Sequence, residues 1–576
     1  MSMDRRSFIK GMAVSGVAAT AAGLAGCAAA PNKGGAASGS GNASASAEAG
    51  AKRYSFETPP KSIEESQIAE TYEADIVVVG AGVSGMVCAA SAAQEGADVI
   101  LFAASTAPVF RGGSNHGIGT KAQKRYGIDY NANNLSPMIK KQMADAGYLI
   151  DQKKWWKWIN HSSESMDWLI DVMEEAGWET TIEVGYDDPD GVFSFQPSAH
   201  NWIGDEVTNG SANGQGLVVS ELERIILENG CRIDYRTVAQ HLVRDDDNTG
   251  RVSAVVAQNE AGDYVKYIGR KAVVLATGDF SGDREMMEKY CPWAMDLLDE
   301  NWSLDYDAGF QFGGLYPGDG QKMGLWVGAG WQKVYPNAPM ILGMIAAQLP
   351  SQIGVQNYTG PNLNMNGERY MNEDTTATYS VMSVMNQPER TAYFIWEAAY
   401  AYRYDTWCVG GTTIDQDNGP KPKTSEEILA EWEAAAENRA YVKADTIEEL
   451  LSQLDGIDAE QAKATLERYN MYCENGVDED FHKDPRYLAP VKTGPFFGFK
   501  YQVDPSAFLC VTGGLRTNEN MQVCDENDVP IDGLYNLGVM VGDSYGTLYN
   551  FGVEGHNLGM NCITFGYLVG RDLARA

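Results

Sequence analysis

The stretch ADIVVV-GAGVSG, residues 74–85, decides the fold. Its first six residues are a short β-branched run that ends at glycine, which predicts a buried strand of a parallel sheet. A helical pattern then runs from about Val83 to Gly96, and a second strand is predicted from Asp98 to Phe102. A G-x-G-x-x-G motif between a strand and a helix, followed by a second strand, predicts a dinucleotide-binding site.

Each glycine of the motif has a separate task. Gly80 permits the tight turn, Gly82 lets the backbone approach a pyrophosphate, and Gly85 lets the helix pack closely on the strand. The helix N-terminus then faces the negative charge of the phosphates. An acidic residue normally ends the second strand and holds the ribose hydroxyls, but LFAAS at 101–105 has none, and Ser105 is predicted to take its place through its hydroxyl.

Several later motifs follow in a fixed order. They are RGGSN at 111–115, VVLATGDF at 273–280, PGDG at 317–320, NGERYMNE at 366–373, GLYNLG at 533–538 and ITFG at 563–566. With the dinucleotide motif, they resemble the fumarate reductase/succinate dehydrogenase flavoprotein family, which also contains urocanate reductases and 3-ketosteroid dehydrogenases. The resemblance runs from about residue 72 to the end of the chain, and it implies FAD as the cofactor.

The resemblance also implies the residues of the FAD site. The final helix starts at GHNLG, residues 555–559, and a helix N-terminus aimed at the flavin pyrimidine would stabilise negative charge on the reduced flavin. The residues expected to contact FAD are Gly80, Gly82, Val83, Ser84, Gly85, Ser105, Arg111, Gly112, Gly113, Ser114, Val238, Thr277, Gly278, Asp279, Gly538, His556, Asn557 and Leu558.

The architecture that the resemblance implies is an α/β fold, in which a Rossmann-like FAD-binding domain carries an inserted α+β capping domain. Residues 70–285 and 495–576 would form the FAD-binding domain, and residues 286–494 would form the cap over the substrate. The cap is rich in Trp and Tyr, and a helix is predicted from Ser425 to Arg439.

The sequence departs from fumarate reductases where those enzymes hold their substrate. Ala377 stands at the position of the proton-donating arginine, Tyr335 and Cys510 at two histidine positions, and Asn557 at a carboxylate-binding arginine. A dicarboxylate needs cationic or bidentate donors, because burying unpaired carboxylates is prohibitive. The departures therefore argue against fumarate and succinate as substrates.

Tyrosines are the predicted replacement. YGTLYN at 545–550 loosely resembles the S-Y-P segment in which a tyrosine of ketosteroid dehydrogenases contacts the substrate ketone. A tyrosine can hydrogen-bond an enone oxygen or deliver a proton to carbon after hydride transfer. The catalytic candidates, in order, are Tyr335, Tyr549, Tyr545 and Tyr379.

Two carboxylates near these motifs are interpreted as structural. Asp319 is expected to form a turn, and Glu373 is expected to brace a loop.

Composition excludes several functions. The 44 Lys+Arg against 78 Asp+Glu give a formal net charge of -34, which repels phosphate backbones and argues against nucleic-acid binding. The nine cysteines include no C-x-x-C pair, and the six histidines are scattered, so no metal, haem or iron–sulfur site is predicted.

The N-terminus is predicted to be a signal for export and lipidation. DRRSFIK at 4–10 reads as a twin-arginine export signal, and LAGC at 24–27 resembles a lipobox whose Cys27 is lipidated. Residues 28–69 are predicted to be a flexible linker, because 34–51 are nearly all Gly, Ala, Ser and Asn. These features predict a protein anchored by lipid to the outer face of the cell membrane.

The sequence thus predicts an exported FAD-dependent reductase that transfers hydride to an activated C=C bond of a small enone or aryl-acrylate-like substrate, used as a terminal electron acceptor. Its electrons would come from a cytochrome or flavin-carrier partner at the membrane. Two alternatives stay open at this point: a dehydrogenase of the ketosteroid-dehydrogenase type, and a flavin-bearing ligand-binding lipoprotein without turnover. A fumarate-active enzyme with a relocated arginine, such as Arg403 or Arg390, is a third and weaker alternative.

Overall fold

The computed structural model describes residues 54–131, 135–182, 198–204, 214–309, 311–341, 359–375, 377–403, 424–550, 553 and 555–576. The predicted signal (1–27), the lipidation site Cys27 and most of the predicted linker lie outside the described residues.

Seventeen strands are assigned in the described part of the chain. They are β1 Ile68–Val79, β2 Val99–Phe102, β3 Asn115–His116, β4 Glu179–Ile182, β5 Ala199–Ile203, β6 Arg232–Asp234, β7 Val238–Arg244, β8 Val252–Gln258, β9 Tyr264–Leu275, β10 Ala338–Ile341, β11 Asn362–Leu363, β12 Thr391–Glu397, β13 Val442–Ala444, β14 Phe496–Gln502, β15 Phe508–Thr512, β16 Gln522–Cys524 and β17 Pro530–Asn536.

The described α-helices are α1 Val83–Gln94, α2 Lys121–Arg125, α3 Ser136–Asp145, α4 Gln152–Glu175, α5 Gly214–Glu228, α6 Asp245–Asn248, α7 Arg284–Tyr290, α8 Asp319–Trp326, α9 Ala377–Val384, α10 Ser425–Glu437, α11 Ile447–Gln453, α12 Ala459–Asn475 and α13 Phe565–Arg575. A π-helical segment, Asn557–Thr564, leads directly into α13. None of these helices is both long enough and apolar enough to cross a membrane.

The main sheet has eight strands. Its path is β16-β17-β9-β1-β2-β6, with β8 on β9 and β7 on β8. The pairs β17–β9, β9–β1, β1–β2 and β2–β6 are parallel. This parallel centre with helices against it confirms the predicted α/β fold, and β1–α1–β2 is the predicted strand–helix–strand unit.

Small residues let α1 lie deep in the core. Every residue from Val83 to Ala93 is buried, and α13 crosses it so closely that a Cβ at Gly570 would lie 2.3 Å from the Cys88 carbonyl oxygen. The segment thus packs on all sides, as a helix between a sheet and other helices must. Because α13 follows the π-helical segment, this packing ties the C-terminus of the chain to the dinucleotide motif.

A second sheet, β11-β12-β14-β13, is antiparallel and is formed mainly by residues predicted to lie in the cap. Helices α10, α11 and α12 are nearby in sequence. The predicted helix from Ser425 to Arg439 is α10. Strand β14 pairs with β12 along its whole length, so this sheet extends past the predicted boundary at residue 494 to Gln502.

The described residues also begin before the predicted end of the linker at residue 69. The Phe56 side chain is buried, and its carbonyl oxygen accepts a 2.8 Å hydrogen bond from Trp326 Nε1. The Ser55 amide donates to Glu285 at 2.6 Å. These contacts correct the linker prediction, because an aromatic side chain among small polar residues gives residues 54–57 enough apolar surface to dock.

Candidate active site

The dinucleotide motif forms a cradle that only glycine allows. Gly80 has φ +113°, and a Cβ there would lie 2.4 Å from the Ala276 carbonyl oxygen. A Cβ at Gly85 would lie 2.0 Å from the Gly80 carbonyl oxygen, whereas one at Gly82 would meet nothing within 4 Å. Gly82 also precedes α1 without a side-chain cap. Open space before an uncapped helix N-terminus, which begins with Val83 and Ser84, fits a pyrophosphate.

The part of the site predicted to bind the adenosine of FAD contains Ser105 and Val238. Ser105 is buried, and its hydroxyl donates a 2.7 Å hydrogen bond to the Ala107 carbonyl oxygen. Its proton is therefore already used, and the oxygen can only accept. The Thr237 amide donates to the Ala103 carbonyl oxygen at 2.8 Å, which brings Val238, the first residue of β7, to the end of β2 as an adenosine contact requires.

Two segments more than 400 residues apart meet at the expected flavin site. A Cβ at Gly112, where φ is +74°, would lie 3.2 Å from Leu558 Cδ1. A Cβ at Gly555 would lie 2.4 Å from the Ser114 carbonyl oxygen, and one at Gly559 would lie 2.0 Å from that of His116. The RGGSN loop, which includes Gly113, thus lies against the start of the π-helical segment, and π-helical turns are frequent at functional sites.

The ATGD segment braces the site from another side. Thr277 Oγ1 accepts from the Gly320 amide at 3.1 Å, and Gly278, with φ +85°, leaves no space for a Cβ beside the Tyr316 ring. Gly538 is similarly tight, since a Cβ there would lie 2.6 Å from Ser84 Oγ.

The Asp279 carboxylate is already hydrogen-bonded to the backbone of two other segments. It is buried, and its two oxygens accept from the backbone amides of Tyr316 at 3.2 Å and Val511 at 3.0 Å. Burial raises its pKa, while the nearby Arg111 charge opposes that rise. The predicted contact of this residue with FAD is therefore not made through a free carboxylate.

Two of the four predicted tyrosines lie together in a buried cluster. The Tyr545 and Tyr549 ring centroids are 4.8 Å apart, and Tyr549 stacks on His556 at 4.9 Å with an interplanar angle of 12°. The Tyr545 hydroxyl donates to Asn557 Oδ1 at 2.9 Å and accepts from Asn561 Nδ2 at 3.3 Å. We call Tyr545, Tyr549 and the residues packed on them the tyrosine cluster; the others are Ala338, Met340, Leu509, Cys510, Phe312 and Val539.

The other two tyrosines differ from each other. The Tyr379 hydroxyl accepts a 2.7 Å hydrogen bond from Nδ2 of Asn550, the neighbour of Tyr549. Burial raises its pKa to about 12, with Asn550 lowering it and Asp145 raising it. Tyr335 is 60% exposed and is not part of the cluster. The sequence-based order, which put Tyr335 first, stays a prediction, but the exposed side chain of Tyr335 does not join the buried pair Tyr545 and Tyr549.

His556 is neutral and packed. Its ring is 0% exposed, its Nδ1 hydrogen bonds the Val553 carbonyl oxygen, and its Nε2 has no partner. Burial lowers its pKa to about 3. His556 thus packs on Tyr545 and Tyr549, and its predicted contact with FAD stays a prediction.

The described side chains that make up the tyrosine cluster are all uncharged. Cys510 is buried and its pKa is raised to about 12 by burial, so it is a neutral thiol beside Met340 Sδ at 4.0 Å. Asn557 offers an amide, and Ala377 begins helix α9. The alternative arginine Arg390 pairs with Asp296 at the surface.

Sequence reasoning missed the supports of Tyr545. Lys154 is fully buried, and its Nζ donates to the Gly542 carbonyl oxygen at 2.7 Å, while Trp155 Nε1 donates to that of Ser544 at 2.8 Å. Both residues lie on the buried face of α4. A lysine on that apolar face was the available signal, because lysine is almost never fully buried without a specific partner.

Both carboxylates that were predicted to be structural have protein partners, although Asp319 begins helix α8 where a turn was predicted. Asp319 is held by the Tyr306 hydroxyl at 3.0 Å. Glu373 belongs to a buried ion quartet with Arg369, Asp478 and Lys483.

Comparison with known proteins agrees with this geometry. A family model described as FAD binding domain matches residues 75–554. The vinyl phenol reductase of Lactiplantibacillus plantarum is 27% identical over 526 residues, which cover 87% of this chain and 95% of that protein. The urocanate reductase of Eggerthella lenta is 24% identical, covering 91% and 77%. The crystal structure of 3-ketosteroid-Δ4-(5α)-dehydrogenase from Rhodococcus jostii RHA1 has a TM-score of 0.65 at 23% identity, covering 89% and 99%.

Proposed function

The chain belongs to the FAD binding domain family, and on that premise we propose that it is an exported reductase that saturates an activated C=C bond of a small, non-dicarboxylate substrate. FAD is its cofactor, and the chain is an FAD-dependent oxidoreductase of the kind that acts on CH–CH and C=C bonds. The proposed substrate bears an aryl ring or a carbonyl group conjugated with the double bond.

The neutral, aromatic tyrosine cluster carries this proposal. Its members are tyrosines, a thiol, a thioether and aliphatic side chains, which suit a flat conjugated molecule and not two carboxylates. Each carboxylate taken out of water without a cationic partner would cost several kcal/mol, roughly. The vinyl phenol and urocanate reductases among its relatives are named for conjugated substrates, in keeping with this choice.

The chemistry divides between cofactor and protein. FAD, when bound, supplies the hydride at its N5. The protein must then provide a proton for the neighbouring carbon, and a cluster tyrosine is the proposed donor. Burial raises the pKa of Tyr545 well above its usual value, so this phenol keeps its proton at neutral pH. Tyr549, which stacks on the neutral His556 and precedes Tyr545 in the sequence-based order, is the first candidate for the transfer.

The proposed location follows from the N-terminal sequence alone. Residues 1–27 would direct export by the twin-arginine route, and lipid on Cys27 would hold the enzyme at the outer face of the membrane. Nicotinamide cofactors are scarce there, so electrons would come from a membrane-linked cytochrome or flavin carrier. In the cell the substrate would then serve as a terminal electron acceptor.

The test is anaerobic reoxidation of the chemically reduced holoenzyme, followed by flavin absorbance. Cinnamate, benzylideneacetone and fumarate would be added separately, and Tyr549→Phe would be compared with Tyr148→Phe, an exposed tyrosine. We expect rapid reoxidation by a conjugated aryl substrate and little by fumarate. Faster reoxidation by fumarate than by the aryl substrates would refute the proposed substrate class. If no acceptor reoxidises the flavin but the enzyme turns over with an added oxidant, a dehydrogenase would be favoured.

A further inference from the structure

Arg111 is a half-buried cation beside the tyrosine cluster. Its Nη2 donates to the carbonyl oxygens of Gln311 at 3.0 Å and Leu509 at 2.9 Å. Its Nε is buried without a hydrogen-bond partner. Two of the five N–H groups of a guanidinium are thus fixed in place by the backbone, and the side chain is held in one orientation.

No carboxylate of the described chain forms an ion pair with Arg111. The charge of Arg111 opposes the rise in the pKa of Asp279, but both oxygens of Asp279 accept hydrogen bonds from backbone amides. A guanidinium removed from water with an unsatisfied N–H and no counter-ion is costly. In a chain whose formal net charge is -34, a half-buried guanidinium that forms no ion pair with a described carboxylate and keeps one N–H without a partner points to an external anion.

The position of Arg111 says which anion. The two carbonyl groups that hold it precede Phe312 and Cys510, both of which pack in the tyrosine cluster. The next residue, Gly112, lies against Leu558 at the start of the last helical segment. The guanidinium therefore lies at the border between the expected flavin loop and the proposed substrate site.

We infer that Arg111 binds the single carboxylate of the substrate, which makes the preferred substrates aryl acrylates and related α,β-unsaturated monocarboxylates. This inference rests on the proposed function. One guanidinium matches one carboxylate through paired charge-assisted hydrogen bonds. A second carboxylate, as in fumarate, would face the neutral thiol and aromatic rings of the cluster.

The same contact assists the reaction. FAD, when bound and reduced, would supply a hydride whose two electrons form the new bond at the β-carbon; the π bond would break, and negative charge would move toward the α-carbon and the carboxylate. Arg111 stabilises that charge, and a tyrosine proton then forms the second C–H bond at the α-carbon. Two electrons and two hydrogens are thus added to the substrate, and the flavin is returned to its oxidised form.

The experiment measures binding and turnover with two matched ligands. Cinnamate and benzylideneacetone share the styryl group, but only cinnamate is an anion. Arg111→Gln and Arg111→Lys would be compared with Arg236→Gln, which removes an exposed arginine paired with Glu260. Cinnamate affinity for the oxidised holoenzyme is measured by calorimetry, KM and kcat with both ligands are measured on reduced enzyme, and bound FAD is quantified for each variant.

We expect Arg111→Gln to weaken cinnamate binding by about 10- to 100-fold, the range for a hydrogen-bonded charged group. Its preference for cinnamate over benzylideneacetone should fall by the same factor, and Arg111→Lys should recover part of the loss. Equal losses with both ligands, loss of FAD from Arg111→Gln, or no cinnamate binding by the wild type would each overturn the inference. If cinnamate binds through Arg111 but neither ligand reoxidises the enzyme, the proposed function fails while the anion site stands.

Discussion

Removing Arg369 should destabilise the capping region far more than removing an exposed arginine from the same region. Arg369 donates to Glu373 at 2.9 and 2.7 Å and to Asp478 at 3.0 and 2.9 Å. All three side chains are at most 1% exposed. In Arg369→Met, Lys483 would remain as the single cation of the quartet for two buried carboxylates. Breaking a buried pair in this way costs about 3–5 kcal/mol.

The matched control is Arg468→Met. Arg468 pairs with Asp480 at 3.1 Å, but these side chains are 42% and 28% exposed, and exposed pairs contribute about 0–1 kcal/mol. The free energy of unfolding would be measured by urea denaturation of each holoenzyme, followed by tryptophan fluorescence. If the two substitutions cost the same within 1 kcal/mol, roughly the upper value for an exposed pair, the quartet does not stabilise the fold as argued.

Three further outcomes are expected. Tyr549→Phe should slow reoxidation of the reduced flavin by a conjugated substrate by about 100-fold or more, the usual contribution of a positioned acid, with bound FAD unchanged; a normal rate would move the proton transfer elsewhere. Burial lowers the pKa of His556 from 6.5 to about 3, so between these pH values the unfolded chain takes up a proton that the folded chain does not. The contribution of His556 to stability is therefore complete above pH 6.5 and is lost as the pH falls toward 3. In His556→Asn the urea midpoint should vary less steeply with pH, and an unchanged slope would contradict this. Gly82→Ala should fold normally but lose FAD affinity, because its Cβ enters the open space in which the pyrophosphate is expected. Gly85→Ala should destabilise the fold itself, because its Cβ would lie 2.0 Å from the Gly80 carbonyl oxygen. Thermal unfolding and FAD titration separate the two effects, and equal behaviour of the two variants would contradict these separate roles of the glycines.

The order of the catalytic tyrosines shows where sequence reasoning ended. Tyr335 was first by its place in a motif, yet its side chain is exposed, and the buried pair is Tyr545 and Tyr549. A motif gives the position of a residue along the chain but not the direction of its side chain in a loop. That direction depends here on Asp543, whose Oδ1 accepts the amides of Lys333 and Val334 at 2.9 Å.

The sequence by itself determined the dinucleotide unit, because strand, glycine turn and helix are encoded by residues close together in the chain. A Cβ at Gly85 would clash with the Gly80 carbonyl oxygen five residues away, and the β-branched apolar run before the motif favours a buried strand. The α/β class could be predicted in this way, whereas FAD as the cofactor and the absence of the fumarate-type cations were predicted from the family resemblance.

Only the tertiary structure decided how distant segments meet. The contact of Gly112 with Leu558, the pairing of β14 with the cap sheet, and the carbonyl groups that hold Arg111 each join residues far apart in sequence. No periodicity or motif encodes such contacts, because they result from the packing of whole elements. Arg111 belongs to the predicted flavin loop by sequence, and only the tertiary structure shows that backbone carbonyl groups hold it while no described carboxylate forms an ion pair with it.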